Sequence, residues 1–288
     1  MNRDSLENEG CLGGNVRNII DLRVLESGAE EYDSLIADIE SGVVNPNNIS
    51  YDVIREKYKK GIITREEMNY GRRVLQNTDH LDSYLWTYGK IVRQQWKVFL
   101  EEYAHSFVIG REGINVIDYG CGQGLASALF LDAVPRELRQ QFRYFQLVEP
   151  SSVALRRATA VVGCYCPKAR ITPTQSGLNE LALGSEITAH DRSTIHLFSN
   201  VLDIVGIDSI GVLNKIVTTP GTHAIFAISH DRDFDGGAAP LREICERVRE
   251  LRNEGELKIV INSVQPLDLE GRKFLGLNSQ FEVFSGSF

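Results

Sequence analysis

The side chains with chemistry to offer gather around one short stretch, Val116-Ile117-Asp118-Tyr119-Gly120-Cys121-Gly122-Gln123-Gly124. It reads as a buried strand running into a glycine turn and then a helix. Glycines there allow positive φ and let a ligand approach bare backbone, while the helix start offers unpaired amides and a partial positive charge. Such a loop suits a nucleotide-like ligand at the carboxyl ends of parallel strands. Glu149 ends the next expected strand, where a carboxylate can accept hydrogen bonds from both hydroxyls of a ribose. Two blander readings stand beside these. Asp118 can simply cap the following helix, and Glu149 before Pro150 can be a solvated strand end. Cys121, inside the loop, reads as a small packing residue rather than a nucleophile.

Other reactive groups lie near expected strand ends. His196, Asp203, His230 and Asp231 are candidate bases, although none has a distinctive spacing. His196 falls inside a strand and reads first as a core residue, whereas His230 and Asp231 directly follow one. Asp231-Arg232-Asp233-Phe234-Asp235-Gly236 reproduces the first half of a calcium-binding loop. Position twelve is Arg242 instead of a bidentate glutamate, so the stretch reads as an acidic turn and no metal is expected. Of five cysteines, Cys164 and Cys166 form CxC without clustered histidines, which points away from structural zinc or a disulfide framework and towards the reducing cytoplasm.

These groups need a scaffold, and the chain is long enough to build one. It has 288 residues, 42% hydrophobic and 24% charged, ordinary globular values that exclude low-complexity and collagen-like classes. No window approaches a membrane span, and Asp4, Glu7 and Glu9 stand where an export signal needs a basic start. The net charge of −8 is unevenly spread: residues 1–50 hold ten acidic and three basic side chains, residues 51–100 six acidic and ten basic. That balance disfavours nucleic acid as a partner without excluding it. The Arg55–Lys60 run with Arg72 and Arg73 reads as solvated helix faces.

From residue 113 onward, strands alternate with helices. INVIDYG, YFQLVEP, ARITPT, TIHLFSN and THAIFAISH read as five strands, with helices over 124–133, 152–162, 207–217 and 241–253. LKIVINSV and QFEVFSGS follow without a helix between them and should pair antiparallel at an edge. The expectation is an α/β, Rossmann-like, seven-stranded, mostly parallel sheet with an antiparallel final strand. Before it, residues 1–105 read as a helical region that caps the pocket and recognises substrate, with 106–288 as the sheet domain. Ser50 is an expected helix cap, and Thr64 to Glu67 fits a capping box. Tyr84, Trp86, Tyr88, Trp96 and Tyr103 fall in one expected helix, Leu81 to Tyr103. Its tyrosines and tryptophans either pack on the sheet or wall the pocket, with Tyr88 the favoured pocket residue.

Taken together, DxGxGxG (Asp118, Gly120, Gly122, Gly124) and LVEPSS (Leu147–Ser152, containing Glu149 and Pro150) resemble the class I S-adenosylmethionine-dependent methyltransferases over about residues 106–288. The resemblance implies S-adenosyl-L-methionine as cofactor and methyl transfer as activity. It implies that Asp118 orients the methionine part, that Glu149 grips the ribose, and that Gln175 or Ser176 touches adenine. It puts Ser199 and Asn200 at the transfer site, unless they merely end their strand. HLFSNVLD departs from the Asn-Pro-Pro-Tyr/Phe motif of amino-methylating nucleic-acid enzymes, so a small molecule or protein side chain is preferred as acceptor. A cofactor-binding subunit without activity, or an RNA methyltransferase, is the alternative. A nicotinamide-dependent oxidoreductase is disfavoured because its loop is spaced GxGxxG.

Overall fold

Alternate residues of the central strands point to opposite faces, and here both sets are apolar. Val116, Leu197 and Phe226 enter one core cluster, while Ile117, Phe198 and Ile225 enter the other. A sheet of that kind must be covered on both sides. The computed structural model describes residues 32–103, 113–183, 193–231 and 237–284. Its strands β1 (Ile114–Tyr119), β2 (Phe142–Val148), β3 (Arg170–Thr174), β4 (Ser193–Ser199), β5 (Gly221–His230), β6 (Leu257–Leu269) and β7 (Arg272–Val283) form one sheet of order 3-2-1-4-5-7-6. Six strands run parallel, and β7 lies antiparallel between β5 and β6. This is the expected Rossmann-like α/β architecture.

One detail of the ending differs from expectation. Of the last two strands only β6 is an edge, because β7 inserts beside β5, and β7 begins at Arg272 rather than near Gln280. The connection is a two-residue turn, Glu270-Gly271, with φ of 53° and 78°. Both residues are left-handed, as a tight hairpin of this twist requires. Glutamate at the first position lacks the Asn-Gly or Asp-Gly signature that makes such a turn readable.

Helices α1 (Ser34–Glu40), α2 (Tyr51–Tyr58), α3 (Thr78–Thr87) and α4 (Gly89–Tyr103) precede the sheet; α5 (Leu125–Ala133), α6 (Ser152–Tyr165), α7 (Ser209–Val217) and α8 (Ala239–Glu254) connect its strands. Side chains of α4, α5 and α6 fill the first cluster, those of α7 and α8 the second. The early helices share the sheet's core: Phe99 of α4 meets Phe226 of β5 edge-on at 5.9 Å between centroids. The single helix expected over Leu81 to Tyr103 is two, broken at Tyr88-Gly89. Gly89 sits against Tyr51 and Arg55, where a Cβ would come within 3.1 Å of both, and its carbonyl accepts a 2.7 Å bond from the Tyr51 hydroxyl. A glycine held there lets the axis bend.

The two expected caps form. Val53 N donates to Ser50 Oγ at 3.2 Å, and Thr64 and Glu67 exchange bonds of 2.9 and 3.2 Å. The second cap starts no lasting helix, however. Asn69, Tyr70 and Gly71 turn left-handed (φ 45°, 54° and 88°), and a strap without helix or strand follows, residues 72–76. Among the described residues, no helix is long and apolar enough to cross a membrane.

Candidate functional site

The sheet order fixes where a ligand can enter. From β1 the chain moves outward to β2 and β3, then returns past β1 to β4 and β5, so a crevice opens beyond the carboxyl ends of β1 and β4. The glycine loop crosses that crevice. Gly120, Gly122 and Gly124 all have positive φ, of 61°, 51° and 82°. Two of the three are also demanded by packing. A Cβ on Gly120 would lie 2.5 Å from Val201, and one on Gly124 would lie 3.1 Å from Ala158. Gly122 is different, since a Cβ there would meet nothing within 4 Å. Its bare face is the open one.

A cavity of about 280 Å³ lies over this loop. Gly120, Gly122, Glu149, Pro150, Ser199 and Asn200 from the sequence expectation all stand on its wall. Cys121, Gln123, Leu125, Val201 and Ile204 complete the sheet side, and the strap Gly71 to Leu75 with Tyr84 closes the opposite side. The strap is pinned, because the Ser151 hydroxyl donates to the Leu75 carbonyl and Leu75 packs with Leu81 and Ala154.

Glu149 is the hinge of the arrangement. It is 9% exposed; one carboxylate oxygen accepts from Gly122 N and the other from Ser151 N, each at 3.0 Å. Burial raises its pKa, and the two amide bonds pull it back. Asp118 lies beneath the loop rather than on the cavity wall. Its Oδ2 accepts from the amide and hydroxyl of Ser127 at 3.2 and 2.7 Å, so it caps α5. Its Oδ1 is buried without a partner. Burial lifts this carboxyl to about 7, against the pull of the Ser127 bonds and with a further push from Glu149. Cys121 is 5% exposed, and burial, aided by those carboxylates, raises its thiol well above the ordinary range, which makes it a packing residue rather than a nucleophile.

Several expected site residues are not brought to the cavity. Gln175 is turned so that its amide donates to Pro150 O at 3.1 Å, and Ser176 donates to Gly177 O; Gly177 and Leu178 form the wall instead. The polar run after β3 thus reaches the cavity two residues later than expected. Tyr88 stands one turn too far, because α3 ends there. Its ring packs 4.9 Å from that of Tyr84, and Tyr84 takes the wall position. Burial raises the Tyr84 hydroxyl's pKa, so it stays protonated. His230 packs on Phe274 at 4.7 Å. Asp231 pairs at 3.0 Å with Arg242, the arginine that replaces a glutamate in the calcium-loop pattern, and 232–236 lie outside the described residues. Ser199 and Asn200 are on the wall but tied to α4. Trp96 Nε1 donates to Ser199 Oγ at 2.9 Å, while Asn200 and Gln95 exchange amide bonds of 3.0 and 3.3 Å.

His196 is sealed in the sheet. The Tyr119 hydroxyl, His196 and His223 form a chain of 3.0 Å bonds that ends on the Thr219 carbonyl at 2.8 Å. One assignment satisfies every link: Tyr119 O–H to His196 Nδ1, His196 Nε2–H to His223 Nδ1, and His223 Nε2–H to Thr219 O. Both rings are then neutral. Burial holds His196 well below its ordinary value and His223 at about 4.

No family model matches the sequence, and no curated protein matches it. Solved structures with a similar chain course include a SAM-dependent methyltransferase from Leishmania major, 12% identical over 86% of this chain and 87% of that one, TM-score 0.41. N-methyltransferase NodS from Bradyrhizobium japonicum, solved with S-adenosyl-L-homocysteine, is 14% identical over 65% of this chain and 86% of its own, TM-score 0.40. An arsenic(III) S-adenosylmethionine methyltransferase from Chlamydomonas reinhardtii is 14% identical over 67% and 74%, TM-score 0.40. At these scores the likeness decides nothing about activity.

Two features of the cavity bear on which nucleotide-like ligand suits it. The loop amide of Gly122, which a phosphate would need, already serves Glu149. Two buried carboxylates, Asp118 and Glu149, flank the loop, and burial raises both. A pyrophosphate would meet like charge there, whereas a cation would relieve the buried acids. A buried carboxylate beside bare backbone suits a cationic ligand that has hydroxyls to donate.

Proposed function

We propose that this protein is an S-adenosylmethionine-dependent methyltransferase. The observation that carries the reading is the Glu149 carboxylate seated on the glycine-loop amide, which reserves the loop for a cationic adenosine compound instead of a pyrophosphate. The DxGxGxG spacing agrees with it. Gly120, Gly122, Glu149 and Pro150 hold the cofactor, Asp118 supports its charged end from below, and Ser199, Asn200 and Tyr84 border the acceptor. S-adenosylmethionine brings a methyl group already activated on a sulfonium, so the protein's part is orientation and exclusion of water. Among the described residues the cavity wall carries no histidine, and Tyr84 remains protonated. This favours an acceptor that arrives as a free nucleophile over one that must lose a proton to a base.

The acceptor class that agrees with the acidic overall charge is a small molecule or a protein side chain, selected by the early helices and the strap. Four free buried cysteines agree with a reducing cytoplasm. A thermal-shift measurement tests the cofactor. S-adenosylhomocysteine at one hundred times its Kd should add about 2.7 kcal/mol of stability and raise Tm by several degrees, nicotinamide dinucleotides should do nothing, and Glu149→Ala should abolish the shift. Stabilisation by a nicotinamide dinucleotide alone would refute the reading. Radiolabelled methyl transfer into metabolite, protein, RNA and DNA pools then identifies the acceptor.

A further inference from the structure

Gln123 is the only side chain longer than cysteine within the glycine loop, and it faces inward, 2% exposed. Both ends of its amide are used. Nε2 donates to the Leu81 carbonyl of α3 at 2.9 Å, and Oε1 accepts from Arg157 Nη1 at 2.9 Å. Arg157, on α6, is fully buried and joins two equally buried acids. Its Nε meets Asp33 Oδ2 at 2.7 Å, and its Nη1 meets Asp82 Oδ1 at 2.9 Å. Asp33 spends its other oxygen capping α1, through Leu35 N at 3.0 Å and Ile36 N at 3.2 Å. Asp82 spends its other oxygen on Lys60 at 2.7 Å. Two cations and two carboxylates balance, so the cluster is neutral as a whole.

A loop with glycines at 120, 122 and 124 has little conformational preference of its own. What shapes it is the Cys121 amide on Val148 O (2.9 Å), the Gly124 amide on Cys121 O (2.8 Å), Glu149 on Gly122, and the Gln123 side chain. The first three are made by the loop and β2. The last alone reaches out of the sheet, to α3 directly and to α1 through Arg157. We propose that Arg157, acting through Gln123, is a positioning residue that locks the cofactor loop to helices α1 and α3. This inference rests on the methyltransferase reading for the ligand, but the locking itself belongs to the ligand-free protein. Arg157 does not line the cavity; it reaches the loop through Gln123 and reaches α3, which carries Tyr84, through Asp82.

The decisive variant is Gln123→Met, which cuts the link and leaves all three ion pairs intact. Arg157→Lys keeps a charge but loses the fork that serves Asp33 and Gln123 together. Two readouts are taken on the full chain: amide hydrogen exchange of residues 120–125, and the Kd for S-adenosylhomocysteine by calorimetry. Loss of two buried hydrogen bonds, to Leu81 O and from Arg157, predicts exchange at 120–125 faster by at least about tenfold in Gln123→Met, with exchange in β5 and β7 unchanged and Kd weaker by a similar factor. Arg157→Lys should fall between this variant and the wild type. Unchanged exchange at 120–125 in Gln123→Met overturns the proposal, whatever binds. Wild type failing to bind S-adenosylhomocysteine, with the exchange result as expected, overturns the cofactor reading and leaves the lock standing.

Discussion

The sheet carries a buried polar cluster on each side, and they solve the same problem in opposite ways. On the side of the early helices, buried Arg157, Asp33 and Asp82 and half-exposed Lys60 are joined as ion pairs by contacts of 2.7 to 2.9 Å. On the other side, Tyr119, His196 and His223 are kept neutral and joined by a directed chain of 3.0 Å bonds. The first draws its partners from α1, α3 and α6 and ends at the cofactor loop. The second draws them from adjoining strands β1, β4 and β5 and ends on a backbone carbonyl. Ile117 pairs with His196 in the register, so Tyr119 two residues later is its diagonal neighbour on the same face. Charge is thus placed where segments distant in sequence must be held in one arrangement, and neutral bonding where the sheet already dictates the arrangement.

The sharpest way to break this contrast is Arg157→Met, which keeps the volume, leaves buried Asp33 with only its cap amides and leaves Asp82 with only Lys60. Removing one partner of a buried pair costs about 3–5 kcal/mol. For a chain of this size that is a Tm drop of roughly 10 °C, read by calorimetry. A drop of only a degree or two would mean that the helices, not the charges, hold the arrangement.

The neutral chain is probed through pH. Unfolded His223 takes up a proton near 6.5, whereas in the fold it does so only near about 4. Between those values the unfolded chain binds more protons, so this residue's contribution to stability is complete above 6.5 and is lost as pH falls towards 4. Asp118 acts in the opposite sense. Its buried carboxyl takes a proton at about 7 and the unfolded one at 3.8, so acidification over the same window favours the fold. The two offset each other in the wild type, and the histidine share is read by difference. His223→Gln, which keeps a donor for Thr219 and an acceptor for His196, should lose less stability than wild type between pH 7 and 5, by about 2 kcal/mol. Parallel urea-unfolding curves for the two proteins would show that the chain is not held neutral.

The same contrast explains what the sequence made legible. The glycine loop, Glu149 and the alternation of strands with helices follow from local spacing: an apolar run, a glycine triplet, and an acid at the end of the next strand. Arg157 offers no such signal. It is one of two adjacent arginines in an otherwise largely apolar helix, and the partner that gives it meaning, Asp33, lies 124 residues earlier. The strap escaped for a related reason. Arg72 and Arg73 look like a solvated helix face until the left-handed residues 69–71 end the helix and the segment after them lines the cavity. The aromatic nature of the wall was readable, but its register depended on Gly89. Once that glycine ends one helix and begins another, Tyr84 and not Tyr88 faces inwards.

A third polar pair sits between the two extremes: Gln95 and Asn200 are neutral, like the histidine chain, yet join an early helix to a residue of the cavity wall, Asn200. Asn200 holds φ at 53°, and its amide N–H reaches Ile228 O at 2.8 Å, so the backbone there is committed to a left-handed turn at the end of β4. Two opposing effects then set the outcome of substitution. Asn200→Ala loses the amide pair and keeps a left-handed backbone that alanine tolerates poorly. Asn200→Gly loses the same pair but removes that strain. The glycine variant should therefore be the more stable of the two by about 1 kcal/mol, with wild type above both by the net worth of the pair, again about 1 kcal/mol. Urea denaturation resolves differences of this size. Equal stability of the two variants would mean that the turn relaxes once the side chain is gone, and that the Gln95 pairing, rather than the β4–β5 hydrogen bond, is what keeps Asn200 left-handed.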